Sequence, residues 1–175
     1  MSRRYQDWLM QARRDLKAAR DSLDAGNHDL NSSRVASKSR LQSRNYPHWP
    51  SVEHFVAQVR QLKPVLVLLF GSVATGEFTQ HSDADVLVVF QQPVSWEAVY
   101  ACSDGVVQPV VKTWSELEAK LKAGEPFYCE IAEDAQVLFD ADGVYEQLKH
   151  LATIAREQWQ LQRTTGGWRW ATTPS

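Results

Sequence analysis

The chain has no long apolar run. Nothing in its 175 residues approaches the ~18 consecutive apolar residues of a membrane helix, and the longest runs are Pro64 to Phe70 and Val86 to Phe90. A membrane partner is therefore not expected. Cysteine is scarce, with Cys102 and Cys129 alone, which excludes a disulfide framework or a zinc site. Eight glycines and seven prolines exclude a collagenous or low-complexity chain. The opening MSRRYQDW has no apolar stretch behind its arginines, so a secretory leader is not expected. What remains is a chain of 43% apolar and 23% charged residues, close to the globular average and of about one domain. The sequence predicts a reduced, cytoplasmic protein. The net charge of −2 is unevenly spread: residues 1–45 carry +5 and residues 46–175 carry −7. A basic arm on an acidic body suits contact with nucleic acid or an acidic partner, or simply a solvated helix face; the solvated face is the plainer reading, and nucleic acid is not the expected partner.

The periodicity of Tyr5, Trp8, Leu9, Ala12, Leu16, Ala19 and Leu23 predicts an amphipathic helix from about Arg4 to Ala25, stopped by Gly26. Its single apolar stripe must pack on the body or on another chain. Residues 31–52 have no period and are rich in Ser and Arg, which reads as a linker closed by Pro47 and Pro50. From Ser51 a helix is expected, then strand Val65 to Phe70, strand Val86 to Phe90, a helix opened by Ser95, and strand Val106 to Lys112. Thr113 with Glu116 forms a capping box for the next helix, and Gly124 ends it. Pro126 opens another helix to about Asp134. Gln136 to Phe139 reads as a short strand and Val144 to about Gln162 as a long helix, with Leu148, Leu151, Ile154, Ala155 and Trp159 on one face. The tail holds a turn and a short strand. The expected divisions are thus 1–30, 31–52, 53–142 and 143–175.

The chemistry concentrates in FGSVATGEFTQHSDADVLVVF, residues 70–90. A buried strand ends in Gly71-Ser72, and ten residues later stand Asp83 and Asp85 at the start of another strand. Side chains two apart on a strand share a face. Two carboxylates on one face can hold Mg²⁺, which takes one or two carboxylates together with substrate phosphates. Gly71 lets a phosphate approach the backbone and Ser72 offers a hydroxyl. Alone, each fragment is ordinary turn chemistry; together they suit displacement at a nucleotide phosphate.

These residues resemble the G-S-x10-D-x-D signature of the polymerase-beta-like nucleotidyltransferase superfamily, and within it the minimal nucleotidyltransferases (MNT). Gly71, Ser72, Gly76, Ser82, Asp83, Asp85 and Val88 fill the signature places, and the resemblance spans about residues 53–140, including PFYCEIAEDAQVLFD. It implies an α/β (α+β) fold: a small mixed sheet flanked by helices, here with an extra N-terminal helix and a long C-terminal helix. It implies Mg²⁺ as cofactor, held by the catalytic pair Asp83 and Asp85, and ATP or another NTP as substrate, held by Gly71, Ser72 and Ser82. The first helix, YQDWLMQARRDLKAARDSLDAGNHD, resembles the opening of HEPN domains, the usual partners of MNT proteins, but the R-x4-6-H motif is absent after Leu30. A truncated or frame-disrupted HEPN–MNT fusion accounts for both the helix and the Ser/Arg stretch.

Active members carry a third carboxylate on the next strand, and here that place falls on Gln108. An amide cannot act as a base. Asp104 lies four residues upstream, out of reach without a shifted register. The resemblance thus implies transfer of AMP or another NMP to a hydroxyl acceptor, of the protein kind used by MNT antitoxins. A weakly active or inactive binding module acting by partner contact is the alternative. A HEPN-domain partner is expected, and a homo-oligomer is left open. His81 reads as an exposed loop residue, Glu130, Glu133 and Asp134 as a solvated helix face, Trp168 and Trp170 as cover for the core's edge, and the two cysteines as packing residues.

Overall fold

The computed structural model describes residues 43–164 and 167–170. The N-terminal helix expected over residues 4–25 lies outside them. The described chain runs α1 (Trp49–Val59), a 3₁₀ turn (Arg60–Leu62), β1 (Leu66–Phe70), α2 (Gly71–Thr75), β2 (Ala84–Phe90), α3 (Trp96–Tyr100), β3 (Val107–Thr113), α4 (Trp114–Lys122), α5 (Pro126–Asp134), β4 (Gln136–Asp140), α6 (Val144–Gln158), and the hairpin β5 (Leu161–Thr164) with β6 (Gly167–Trp170).

The four longer-range strands form a mixed sheet in the order β3-β2-β1-β4, with β1 antiparallel to both neighbours and β2 parallel to β3. β1 is buried at every position, as a strand covered on both faces must be. On one face Leu66, Leu68, Phe70, Leu87, Val89 and Val110 pack under α4, α5 and α6. On the other Val67, Leu69, Val86, Val88 and Val107 pack under Val52, Phe55 and Val59 of α1 and Val99 of α3. Each such side chain contributes on the order of 1.5–3 kcal/mol by leaving water. This is the mixed α/β architecture that the resemblance implies.

The local signals act as expected at several ends. Thr113 accepts from the Glu116 N–H while Glu116 accepts from the Thr113 N–H at 2.7 Å, completing the capping box. Ser95 caps α3. Gly124 takes φ +70 beyond α4. Asp140 accepts the Val144 N–H at 2.8 Å and so caps α6 from the end of β4. Pro109 stands in β3, opposite Val86.

Several expectations are corrected. Helix α1 starts at Trp49, with Pro50 in its first turn, where a missing N–H costs nothing. Residues 43–48, expected as linker, belong to the body: Ser43 and Tyr46 are buried. Helix α6 ends at Gln158 rather than near Gln162, since Gln160 adopts a left-handed φ of 49°. Trp159 stays on the core side with Leu148, Leu151 and Ala155, and its indole N–H donates to the Lys122 carbonyl at 2.9 Å. Ile154, expected on the buried face, is 45% exposed. Glu133 and Asp134 do more than face water, because Arg163 bridges both, at 3.1 and 2.9 Å, and Arg156 meets Glu133 at 3.3 Å. These pairs tie the terminal hairpin to α5. The side chains of Trp168 and Trp170 lie outside the described residues.

Candidate active site

The site forms where the C-terminal end of β1 meets the N-terminal ends of β2 and β3. Phe70, the last residue of β1, pairs with Asp85, and Asp85 pairs with Gln108. Paired residues point to the same face, so Phe70, Asp85 and Gln108 form one row across three strands. The row continues the face covered by α4, α5 and α6, and the Phe70 ring meets Phe127 of α5 edge-on at 5.7 Å. Asp85 is half-buried and Asp83, just before the strand, is exposed.

Gly71 turns the chain from β1 into α2 with φ +74. A Cβ built there would sit 2.7 Å from Oδ2 of Asp85, a separation that real side chains do not show. The glycine is therefore required twice, for its conformation and for the carboxylate lying against it. This places the Gly71-Ser72 turn directly beside Asp85. The carbonyl of Ser72 accepts from the Glu77 N–H at 2.9 Å, and Gly76, at φ +83, closes the short helix.

Between the helix and Asp83 the loop is laced by its own polar groups. Ser82 accepts the Thr79 N–H on its hydroxyl at 2.9 Å and donates its own N–H to the Thr79 carbonyl at 3.2 Å. The Ser82 hydroxyl thus shapes the turn that delivers Asp83. His81 is exposed in this turn, beside Gln80.

Gln108 is half-buried, and its amide N–H reaches the Gly105 carbonyl at 3.4 Å. The register leaves Asp104 away from the row: the Val106 N–H holds its carboxylate at 3.1 Å. A hydrogen bond from Ser51, then that from Val106, keep the Asp104 carboxyl below the usual range. Among the described residues no cluster of three or more His, Cys, Asp or Glu side chains is placed to hold a metal ion. Beside Asp85 on β3 the row carries the Gln108 amide rather than a carboxylate.

One contributor has no signal in the local sequence. Tyr46 is 2% exposed, and its hydroxyl donates to the main-chain carbonyl of Ser82. Burial, then the charges of Asp83, Asp85 and Asp104, push its phenol up to about 12.

Residues 52–141, just over half of the chain, match the nucleotidyltransferase domain family. The chain belongs to that family. The nucleotidyltransferase match begins within α1 and ends just after β4, so it contains the whole sheet and the row of Phe70, Asp85 and Gln108. No curated protein matches the chain. Two solved structures are similar. One is a candidate nucleotidyltransferase from Sulfolobus solfataricus, at 17% identity and a TM-score of 0.43, over 67% of this chain and 96% of that one. The other is a toxin–antitoxin structure with AMP-PNP, at 19% identity and a TM-score of 0.46, over 62% of this chain and 88% of that one. At this distance neither speaks to substrate or partner. Membership in the nucleotidyltransferase family supports nucleotide transfer as the general chemistry.

Proposed function

We propose that the chain moves a nucleotidyl group from ATP, or another NTP, to a hydroxyl on a protein, with Mg²⁺ held by Asp83 and Asp85 and the triphosphate held at Gly71 and Ser72. The observation that supports this reading is the closeness of the Asp85 carboxylate to Gly71, which sets one member of the acidic pair against the turn. The donor set fits the ion, since Mg²⁺ takes oxygen ligands and keeps several of them as water or phosphate. When bound, Mg²⁺ neutralises charge on the triphosphate and its leaving group. The acceptor oxygen forms a bond to the α-phosphorus as the bond to pyrophosphate breaks, and the acceptor proton leaves to solvent. Gly71 gives the phosphates access to the backbone. Gln108, beside Asp85, takes no proton. A HEPN-domain protein is the proposed partner and acceptor, on the resemblance of residues 70–90 to MNT proteins, whose usual partners are HEPN domains.

The test incubates the protein with labelled ATP, Mg²⁺ and a HEPN-domain protein encoded beside it. Label moves to the acceptor with wild type and not with Asp83→Ala; no transfer by wild type, or equal transfer by the variant, defeats the reading. The row also favours a second reading, a nucleotide-binding module with little turnover that acts by contact, because its third position holds an amide. Gln108→Glu separates the two. A large gain in transfer identifies a site weakened at that position; no gain excludes residue 108 from the acidic set.

A further inference from the structure

The segment just ahead of α1 touches both halves of the candidate site. Ser43 is fully buried and donates to Oε1 of Gln136 at 2.9 Å, and the Gln136 amide N–H donates in turn to the Ala74 carbonyl in α2. Three residues on, Tyr46 donates to the carbonyl of Ser82, whose neighbour is Asp83. The Tyr46 ring lies edge-on to Phe78 at 5.3 Å and to His48 at 5.5 Å. Phe78 is in the loop that links α2 to Asp83. One short strap thus holds the helix that follows Gly71, the middle of the loop, and the residue before the first carboxylate.

We infer that Tyr46 is a positioning residue for Asp83: its hydroxyl fixes the Ser82 carbonyl and so sets where the exposed carboxylate stands relative to Asp85. This rests on the reading of Asp83 and Asp85 as the metal-holding pair. Asp83 lies outside the β2–β3 ladder, which begins at Ala84. Its backbone is held by the loop, and the loop by the strap. A group bonded directly to a metal ligand is commonly worth about 10–100-fold in metal affinity, and Tyr46, acting through the neighbouring peptide, is expected at the low end.

Tyr46→Phe keeps the ring contacts and removes only the hydroxyl. The experiment titrates the full chain with Mn²⁺ in the presence of ATP and reads free Mn²⁺ by electron paramagnetic resonance. It compares wild type, Tyr46→Phe, Asp83→Asn and Val59→Ala. Val59, the last residue of α1, is buried in the same core, so its variant reports loss of stability. Tyr46→Phe is expected to weaken Mn²⁺ about 10-fold, while Val59→Ala binds as wild type does. Equal affinity for Tyr46→Phe and wild type, or an equal loss in Val59→Ala, overturns the inference. Wild type that binds no Mn²⁺, or Asp83→Asn that binds normally, overturns the underlying reading and the inference with it. Hydrogen exchange gives the second measurement: Tyr46→Phe should speed exchange across residues 79–83 and leave β1 unchanged, and a uniform change or none counts against the strap.

Discussion

Gly71→Ala separates backbone cost from damage to the site. Alanine at φ +74 adopts a left-handed conformation, which costs about 1–2 kcal/mol. In a domain of this size that lowers Tm by roughly 2–8 °C. The new methyl must also gain about 0.7 Å from Oδ2 of Asp85 to move from 2.7 to an ordinary 3.4 Å contact. The side chain yields more readily than the backbone, so the carboxylate moves. That shift exceeds the ~0.5 Å tolerance of a binding constellation and should weaken Mg²⁺–ATP about 10-fold. The assay is thermal unfolding with and without Mg²⁺–ATP at about 100 times the wild-type Kd. Binding then stabilises wild type by about 2.7 kcal/mol and the variant by only about 1.4 kcal/mol. Gly143→Ala is the control. Gly143 has φ +76 with no atom within 4 Å of its virtual Cβ, so that variant loses Tm and keeps the full ligand shift. A full ligand shift in Gly71→Ala, or a halved one in Gly143→Ala, refutes the reasoning.

Two further outcomes follow from the packing. Thr113→Ala removes one half of the capping box and should cost about 1 kcal/mol, seen as a lower Tm that Thr113→Ser recovers; an unchanged Tm excludes the cap as a stabilising feature. Burial pushes the Cys129 thiol from an ordinary 9.0 up to about 11. A raised folded value means that the unfolded chain loses its proton first. The contribution of Cys129 to stability is therefore complete below pH 9 and is lost as pH rises through about 11. Denaturant titrations should show stability falling across that window, less so in Cys129→Ala, and at pH 8 a thiol reagent should modify half-exposed Cys102 well before Cys129. Equal rates for the two thiols contradict this.

Where the determinants are local, the sequence is readable. The runs around Leu66–Phe70 and Val86–Phe90 read as buried strands, Thr113 with Glu116 as a cap, and Pro126 as a helix start. The spacing of Gly71, Ser72, Asp83 and Asp85 also pointed to one site, and β1 and β2 pair so that Asp85 lies against Gly71. Two features escape local reading because their partners are distant. Ser43 reaches Gln136 across 93 positions and Tyr46 reaches Ser82 across 36, so their Ser- and Arg-rich surroundings resemble a linker. Periodicity carried the last helix too far for a related reason. Trp159 continues the apolar phase, yet its indole is captured by the turn around Gly124, which no repeat in α6 reports.

Pro109 has a consequence for assembly. In a parallel ladder alternate residues turn their peptide groups toward the neighbouring strand. The Ala84 N–H bonds the Val106 carbonyl, so Val106, Gln108 and Val110 face β2, while Val107, Pro109 and Val111 face outward. Among the described residues β3 borders the sheet, and the proline nitrogen falls at the middle of that outer rim with no hydrogen to donate. A strand from another copy that tried to extend the sheet there would meet a gap in the donor row. The rim of the sheet beside the candidate site is thus shielded from edge-to-edge stacking by a single imino acid.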